Sequence, residues 1–322
     1  MRLKILLTGK GGQIGSELQC LLPGLGDLVA PDRRELDMLD PDSIRRMVRN
    51  IRPQLIVNAA AYTAVDAAES DEANAHAVNA IAPAVLAEEA KKLGAAVVHY
   101  STDYVFDGAK ATPYDEMDPA NPISVYGKTK LAGELAIRSS GVPHLIFRTA
   151  WVYATRGRNF LLTILRLATE KEELRIVRDQ IGAPTWSVEI AAATTKILAQ
   201  VIERGSATSA FSEVSGTYHL TAAGETTWYD FARAILGEAS SMPQGIPWFA
   251  AATGGHPLIT RRIIPITTRE YPTPASRPAY SVLSNSLLTR TFGVTMEYWR
   301  TQLRLGFAAE RKTRQEIVAS DL

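Results

Sequence analysis

Tyr126 and Lys130 stand four residues apart in Tyr-Gly-Lys-Thr-Lys. On a helix that spacing puts both on one face, with about 5–6 Å between their Cβ atoms. A free tyrosine, with a pKa of about 10, exchanges protons poorly at neutral pH, and a lysine cation beside it favours the phenolate. The spacing therefore predicts a Tyr126 whose pKa Lys130 lowers, fit for general acid–base work on a carbonyl or alcohol oxygen. Chance spacing at a wet helix start is the alternative, since Tyr-x-x-x-Lys by itself is a common pattern.

The elements that must position this pair are legible upstream. Leu3 to Leu7 is an apolar run fit for a buried strand. It runs into Gly9-Lys-Gly-Gly12-Gln-Ile-Gly15, and Ser16 to Leu22 then reads as helix. Strand, glycine turn and helix are the setting of a dinucleotide pyrophosphate, with Gly9, Gly12 and Gly15 allowing close approach to the helix N-terminus. The spacing is GxxGxxG rather than GxGxxG, so an ordinary glycine loop is the alternative, but the strand ahead of it favours the nucleotide reading. A second strand, Asp27 to Ala30, ends at Pro31-Asp32-Arg33-Arg34. Asp32 stands where an acidic residue binds the adenosine ribose, while Arg33 and Arg34 suit a 2′-phosphate or a solvated turn. Asp37 and Met38 follow, where an adenine ring could be flanked, and Asp40-Pro41 opens a capped helix.

Leu55 to Asn58 is a third strand, opening into Ala59-Ala60-Ala61-Tyr62-Thr63, small residues against which a cofactor can lie. Asn74 to Leu93 is helical, with Pro83 as a kink or internal start. Ala96 to Tyr100 is a fourth strand and delivers Ser101-Thr102-Asp103 into the crevice beyond its carboxyl end. Asp107 to Ser124 is a long loop that could be a lid or rim, and His144 to Thr149 is a fifth strand. This alternation predicts an α/β fold, a Rossmann-like doubly wound parallel sheet over residues 1–150. Residues 151–322 are expected to form mainly a smaller substrate-binding domain, with some segments returning to the first. Helices are expected at Phe160 to Thr169, Val188 to Ile202 and Trp299 to Leu305. Arg204 to Gly216 reads as a surface insertion, and Gly237 to Pro257 as irregular chain.

Composition bounds the partners. A net charge of +1, with 21% charged and 46% hydrophobic residues, gives no signal for nucleic acid. The single cysteine, Cys20, excludes an intrachain disulfide and a cysteine-based zinc site, and its setting predicts a buried small hydrophobe. No apolar run reaches membrane-spanning length, and the first apolar run stops at Thr8 with no cleavage site after it, so a cytoplasmic protein is expected.

Taken in order, GxxGxxG, Ser101-Thr-Asp-Tyr-Val-Phe106, Tyr126-x-x-x-Lys130 and Arg148-Thr-Ala-Trp151-Val-Tyr153 resemble the extended short-chain dehydrogenase/reductases. The resemblance covers nearly the whole chain and extends to Asp179-Gln-x-Gly-x-Pro-Thr185 and Arg277-Pro-x-x-Ser281-x-Leu283. It is strongest to the members that reduce a dTDP-linked 4-ketosugar for cell-surface polysaccharide synthesis. It implies a catalytic group of Thr102, Tyr126 and Lys130, in which Thr102 bonds the ketone oxygen, Tyr126 protonates it and Lys130 also holds the nicotinamide ribose. Asp103 and Trp151 correspond to sugar contacts. Gly12, Gln13, Ile14, Asp32, Asp37, Met38, Ala61, Tyr62 and Thr63 correspond to cofactor positions. NADPH is the expected cofactor, with NADH also usable. Epimerases and dehydratases of the superfamily are alternatives, as is a non-catalytic regulatory subunit of the methionine adenosyltransferase beta type. Against a dehydratase, Asp103 is followed by Tyr104 where an acidic base is usual. Some members bind Mg²⁺ between subunits through glutamates. Glu17 and Glu189 match two of these, but Arg300 replaces the third, so no metal is expected and the protein could be a monomer or homodimer. Tyr280 stands where the family has Asn.

Overall fold

The computed structural model describes residues 2–205, 207–243 and 246–308. Six parallel strands form the main sheet: β1 (Leu3–Thr8), β2 (Gly26–Val29), β3 (Leu55–Asn58), β4 (Ala96–Thr102), β5 (His144–Thr149) and β6 (Gly216–His219). Their spatial order is β6-β5-β4-β3-β1-β2, so the chain winds outward in both directions from β1. The direction reverses between β1 and β3. In such sheets ligands bind beyond the strand carboxyl ends at that point.

The strands read as near-continuous apolar runs because both faces are covered. Ile5, Leu7, Val57, Val98 and Phe147 face one way, toward helices α1 (Gln13–Leu21) and α5 (Ser187–Glu203). Leu6, Ile56, Val97 and Ile146 face the other, toward α2 (Pro41–Ile51), α3 (Ala82–Leu93) and α4 (Val125–Ser140). Each such side chain contributes roughly 1.5–3 kcal/mol when fully buried. Asp40 caps α2 as expected, accepting from Asp42 N at 2.9 Å, with Pro41 in the first turn. Before α3 the chain runs through Glu72–His76 and then a π-helical turn, Ala77–Ile81, which meets Pro83 at the start of α3.

A second cluster gathers the helices Phe160–Glu170, Trp228–Ala239, Pro247–Thr253 and Trp299–Ala308 around the parallel pair Glu173–Val177 and Arg262–Ile266. Three expectations need correction. Cys20 is exposed, because it lies on the outer side of α1. The stretch from Arg204 to Gly216 is not only surface: Phe211, in the helix Ala207–Glu213, is fully buried in the main core. The stretch from Gly237 to Pro257 contains the helix Pro247–Thr253, which buries Trp248 and Phe249. In those two stretches Ser206, Gln244 and Gly245 lie outside the described residues. The loop from Asp107 to Ser124 is pinned rather than loose. Tyr114 N donates to Val282 O at 2.9 Å, Ser284 N donates to Tyr114 O at 2.8 Å, and Tyr114 stacks on Phe106.

Candidate active site

At the nucleotide end, the glycine turn is held by backbone. Gly12 N donates to Gly9 O at 2.9 Å, and α1 starts at the next residue. Gly9 has φ +76° and lies against the backbone of Ala59 and Ala60. A Cβ on Gly15 would sit 2.1 Å from Gly9 O, so only glycine lets α1 start this close to the turn. The result is a helix N-terminus with free N–H groups facing the β1–β3 crevice, which fits a pyrophosphate. Gln13 joins the turn to the chain after β5, donating to Val152 O at 3.3 Å and accepting from Asn159 at 3.1 Å. Ile14 packs against the core.

Asp32 Oδ1 accepts from Arg34 N and Glu35 N at 2.8 and 3.1 Å. Those backbone bonds hold its carboxyl below the usual range. Arg33 is exposed beside it. Asp37 Oδ1 accepts from Leu39 N at 2.9 Å, and Met38 packs on the core behind it. Ala60, Ala61 and Tyr62 line the chain leaving β3, with Thr63 exposed after them. Tyr62 is fixed through Asn79, which accepts from Tyr62 N at 2.9 Å and donates to Tyr62 O and to Thr129 Oγ1, each at 3.1 Å.

At the other end, Thr102 and Asp103 leave β4 in a short turn, and α4 starts against that turn. Ser124 caps α4, accepting from Gly127 N at 3.2 Å. Gly127 leaves no room for a Cβ, which would sit 2.2 Å from Tyr104 O. This close approach brings Tyr126 beside Thr102 and sets Tyr104 edge-on to the Tyr126 ring, with centroids 5.6 Å apart. Tyr126 is pushed up to about 12, by desolvation first, with the Thr102 hydroxyl opposing and Asp103 adding to it. Lys130 does not lower it, contrary to the expectation from the four-residue spacing. Its Nζ instead donates to Tyr100 O at 2.5 Å and lies 3.3 Å from His99 Nε2. Sequence spacing fixes the helix face but not which way a long side chain turns.

Asp103 is fully buried, and its carboxyl is pushed up to about 6 by that burial, against the Ser281 and Thr102 hydroxyls. Thr102 Oγ1 donates to Asp103 Oδ1 at 3.0 Å. Trp151 has a left-handed backbone, φ +47°, and its indole stacks on Trp228 at 3.5 Å and 4°. Trp228 Nε1 donates to Gln180 Oε1 at 3.1 Å, and a Cβ on Gly182 would strike the Trp151 ring. The Asp-Gln-x-Gly motif thus holds the paired indoles from behind. The motif near 280 reaches the same place. Arg277 Nη2 donates to Asp66 Oδ2 at 2.7 Å and meets Tyr104, Ser281 faces Asp103, and Tyr280 donates to Glu225 at 2.8 Å.

Trp228, Asn79 and His99 were not singled out in the sequence, and Tyr104 only as the residue after Asp103. Asn58 and His99 carry a visible signal, a polar residue inside an otherwise apolar strand. Trp228 carries none, since it reads as core. Glu17 pairs with Arg156 at 3.6 Å, and among the described residues no cluster of three His, Cys, Asp or Glu side chains could hold a metal ion. Nor, among them, is any helix long and apolar enough to cross a membrane.

Residues 3–311 match the family model described as the RmlD substrate binding domain. The chain is 50% identical over 298 residues to a dTDP-4-dehydrorhamnose reductase of Burkholderia thailandensis, covering 92% of this chain and 96% of the relative. It is 42% identical over 306 residues to the enzyme of that name from Escherichia coli K12, covering 94% and 96%. Among solved structures, the dTDP-4-dehydrorhamnose reductase of Bacillus anthracis in complex with NADP is 32% identical, with TM-score 0.81, and 96% of this chain and 99% of that one are covered. That of Clostridium acetobutylicum is 36% identical, with TM-score 0.82 and coverage of 95% and 99%.

Proposed function

The chain belongs to the RmlD substrate-binding family, and from that premise we propose that it reduces the 4-keto group of dTDP-6-deoxy-L-lyxo-4-hexulose, yielding dTDP-L-rhamnose. It is an NAD(P)H-dependent oxidoreductase. The observation that carries the reading is the pairing of buried Thr102, at the carboxyl end of β4, with half-buried Tyr126 of α4, beyond a glycine turn shaped for a dinucleotide.

When bound, NAD(P)H supplies the hydride. Gly9, Gly12 and Gly15 hold its pyrophosphate against the start of α1, and Asp32 and Arg33 meet the adenosine ribose. Asp37 and Met38 border the adenine. Ala60, Ala61, Tyr62 and Thr63 form the wall after β3. Thr102 donates to the ketone oxygen and fixes its position. Tyr126, a phenol at neutral pH, gives that oxygen its proton and regains one from solvent. Lys130 holds the nicotinamide ribose, and Asp103 and Trp151 contact the sugar. Trp228 covers one face of the Trp151 indole and so holds it in place for the sugar. Both cofactors serve, with a modest preference for NADPH. The reaction runs in the cytoplasm and feeds cell-surface polysaccharide synthesis.

The test is to mix the protein with the 4-ketosugar and either cofactor, follow oxidation of the cofactor, and identify the sugar formed. Stoichiometric oxidation with dTDP-L-rhamnose as product is expected. A C4-epimerised nucleotide sugar without net cofactor oxidation would instead identify an epimerase.

A further inference from the structure

Lys10 stands inside the glycine turn, between Gly9 and Gly11, and takes no part in the steps above. Its Nζ lies 3.9 Å from Glu35 Oε2, in the turn after β2. The lysine side chain therefore reaches from the turn after β1 to the turn after β2. Between those two turns a doubly wound sheet receives the adenosine ribose of a dinucleotide.

Glu35 is fixed where it meets Lys10. Its Oε2 accepts from Asp32 N at 2.7 Å, while Asp32 Oδ1 accepts from Glu35 N at 3.1 Å and from Arg34 N at 2.8 Å. The two carboxylates so close the turn from both sides. The Lys10 cation also reaches Asp32. After the backbone bonds it is the first of the charges that hold that carboxyl low, ahead of Arg34. The Lys10 and Glu35 side chains are 29% and 61% exposed. An ion pair this long and this wet is weak, so a ligand anion can take the lysine from it.

NADPH differs from NADH at one point, where a phosphate replaces the 2′-hydroxyl of that ribose. A phosphate monoester carries about −1.5 to −2 charge at pH 7. Beside Asp32 and Glu35 it meets two carboxylates that oppose it, and a cation must offset them. Arg33 is exposed on its turn. Lys10 comes from the opposite side of the ribose position and is the better covered of the two, so solvent and salt screen it less.

We propose that Lys10 recognises the 2′-phosphate of NADPH and that Glu35 competes with the phosphate for it. Lys10 stays with Glu35 when the ribose carries a hydroxyl, and leaves it when the ribose carries a phosphate. The assignment rests on the dinucleotide reading of the glycine turn. It gives a physical reason for the use of both cofactors, since either one leaves Lys10 with an anion beside it.

Binding of each reduced dinucleotide to the full chain, with no ketosugar present, tests this through the fluorescence of the nicotinamide. Lys10→Gln should weaken NADPH by about 10-fold and NADH by less than about 2-fold. Ten-fold is about the low end for a hydrogen bond between charged groups, and part exposure keeps it there. Equal weakening of the two dinucleotides overturns the proposal. Lys10→Arg keeps the charge and should hold NADPH within about 3-fold of the unaltered protein. A loss as large as that of Lys10→Gln would overturn it as well.

Salt gives a readout that a purely structural role would not move. NADPH affinity should fall more steeply with ionic strength than NADH affinity, and Lys10→Gln should remove most of that difference. A difference that survives the substitution assigns the phosphate to another cation.

Glu35→Gln keeps an oxygen for Asp32 N and gives up the charge. It should tighten NADPH by about 3-fold and leave NADH within about 2-fold. Placed in the Lys10→Gln protein, the same change should lose most of its effect, because nothing is left to compete for. A gain of full size there means that Glu35 acts through its own charge, and the competition falls. If neither dinucleotide binds the unaltered protein, the reading of the glycine turn falls and this assignment with it. If both bind and no ketosugar is reduced, only the reductase reading falls, and the titrations still decide the role of Lys10.

Discussion

From Gly9 to Gly15 the nucleotide end of the crevice is shaped by one short stretch of chain, mostly through backbone, and its side chains stay near solvent. Around Thr102 the sugar end draws on β4, α4, the chain after β5, the Asp179-Gln-x-Gly loop, the helix at Trp228 and the motif at Arg277. There Thr102, Asp103 and Lys130 are buried and Tyr126 is half-buried, and the proton affinities of Asp103, Tyr126 and Lys130 move with desolvation. The contrast separates two kinds of demand. A pyrophosphate needs N–H groups at the right spacing, which backbone supplies without desolvating a charge. Proton transfer needs groups whose affinity is set by surroundings, and surroundings are made by distant segments.

The largest expected effect is at the sugar end. Tyr126→Phe removes one hydroxyl from the Thr102–Tyr126 pair and should lower reduction by about 10²–10⁴-fold while cofactor binding is kept. Turnover near that of the unaltered protein would remove Tyr126 as the acid and with it the contrast.

Asp103 tests whether burial dominates there. Its folded value, about 6, lies above the ordinary 3.8, so the folded protein holds this proton more tightly than the unfolded chain. The contribution to stability is complete below pH 3.8 and lost as pH rises through about 6. Asp103→Asn carries no charge, and above pH 6 it should be more stable than the unaltered protein by up to about 3 kcal/mol, a gain that shrinks below pH 4. Denaturant unfolding at both ends of that window measures it, and a gain independent of pH would show that ionisation is not involved.

At the nucleotide end the damage should be steric rather than chemical. Gly15→Ala removes no polar atom, yet its Cβ collides with Gly9 O. Overpacking of this kind costs about 1–3 kcal/mol. Both cofactors should bind about 5- to 150-fold more weakly by titration. Unaltered affinity would mean that the turn relaxes freely and is not a fixed cradle.

Trp228→Ala unstacks Trp151 at a cost of about 0.5–1.5 kcal/mol. KM for the ketosugar should rise several-fold while cofactor affinity stays put. A change confined to cofactor affinity would place the indoles at the wrong end of the crevice.

The smallest effect belongs to Arg33, exposed on its turn. Arg33→Ala should weaken NADPH more than NADH, by under about 1 kcal/mol. Equal weakening of the two would make Arg33 a solvated turn residue and nothing more.

What the sequence determined by itself was local. Five of the six main strands, the glycine turn, the Asp40–Pro41 cap and the start of α4 could be read from it, since apolar period, capping residues and glycine act over a few positions. It also put Thr102 and Asp103 at the crevice, because strand ends in an open α/β sheet share an edge, whereas joining them to Tyr126 and Lys130 rested on the family resemblance. The tertiary structure decided the rest. It added β6 from beyond residue 200 and turned stretches that read as surface or irregular chain into core through Phe211, Trp248 and Phe249. It moved Tyr126 opposite to the direction that its spacing from Lys130 suggested. Spacing shows that two groups share a helix face, whereas proton affinity depends on what buries them and on which partner each finds. For Lys130 that partner is His99, on a strand that folding alone brings alongside.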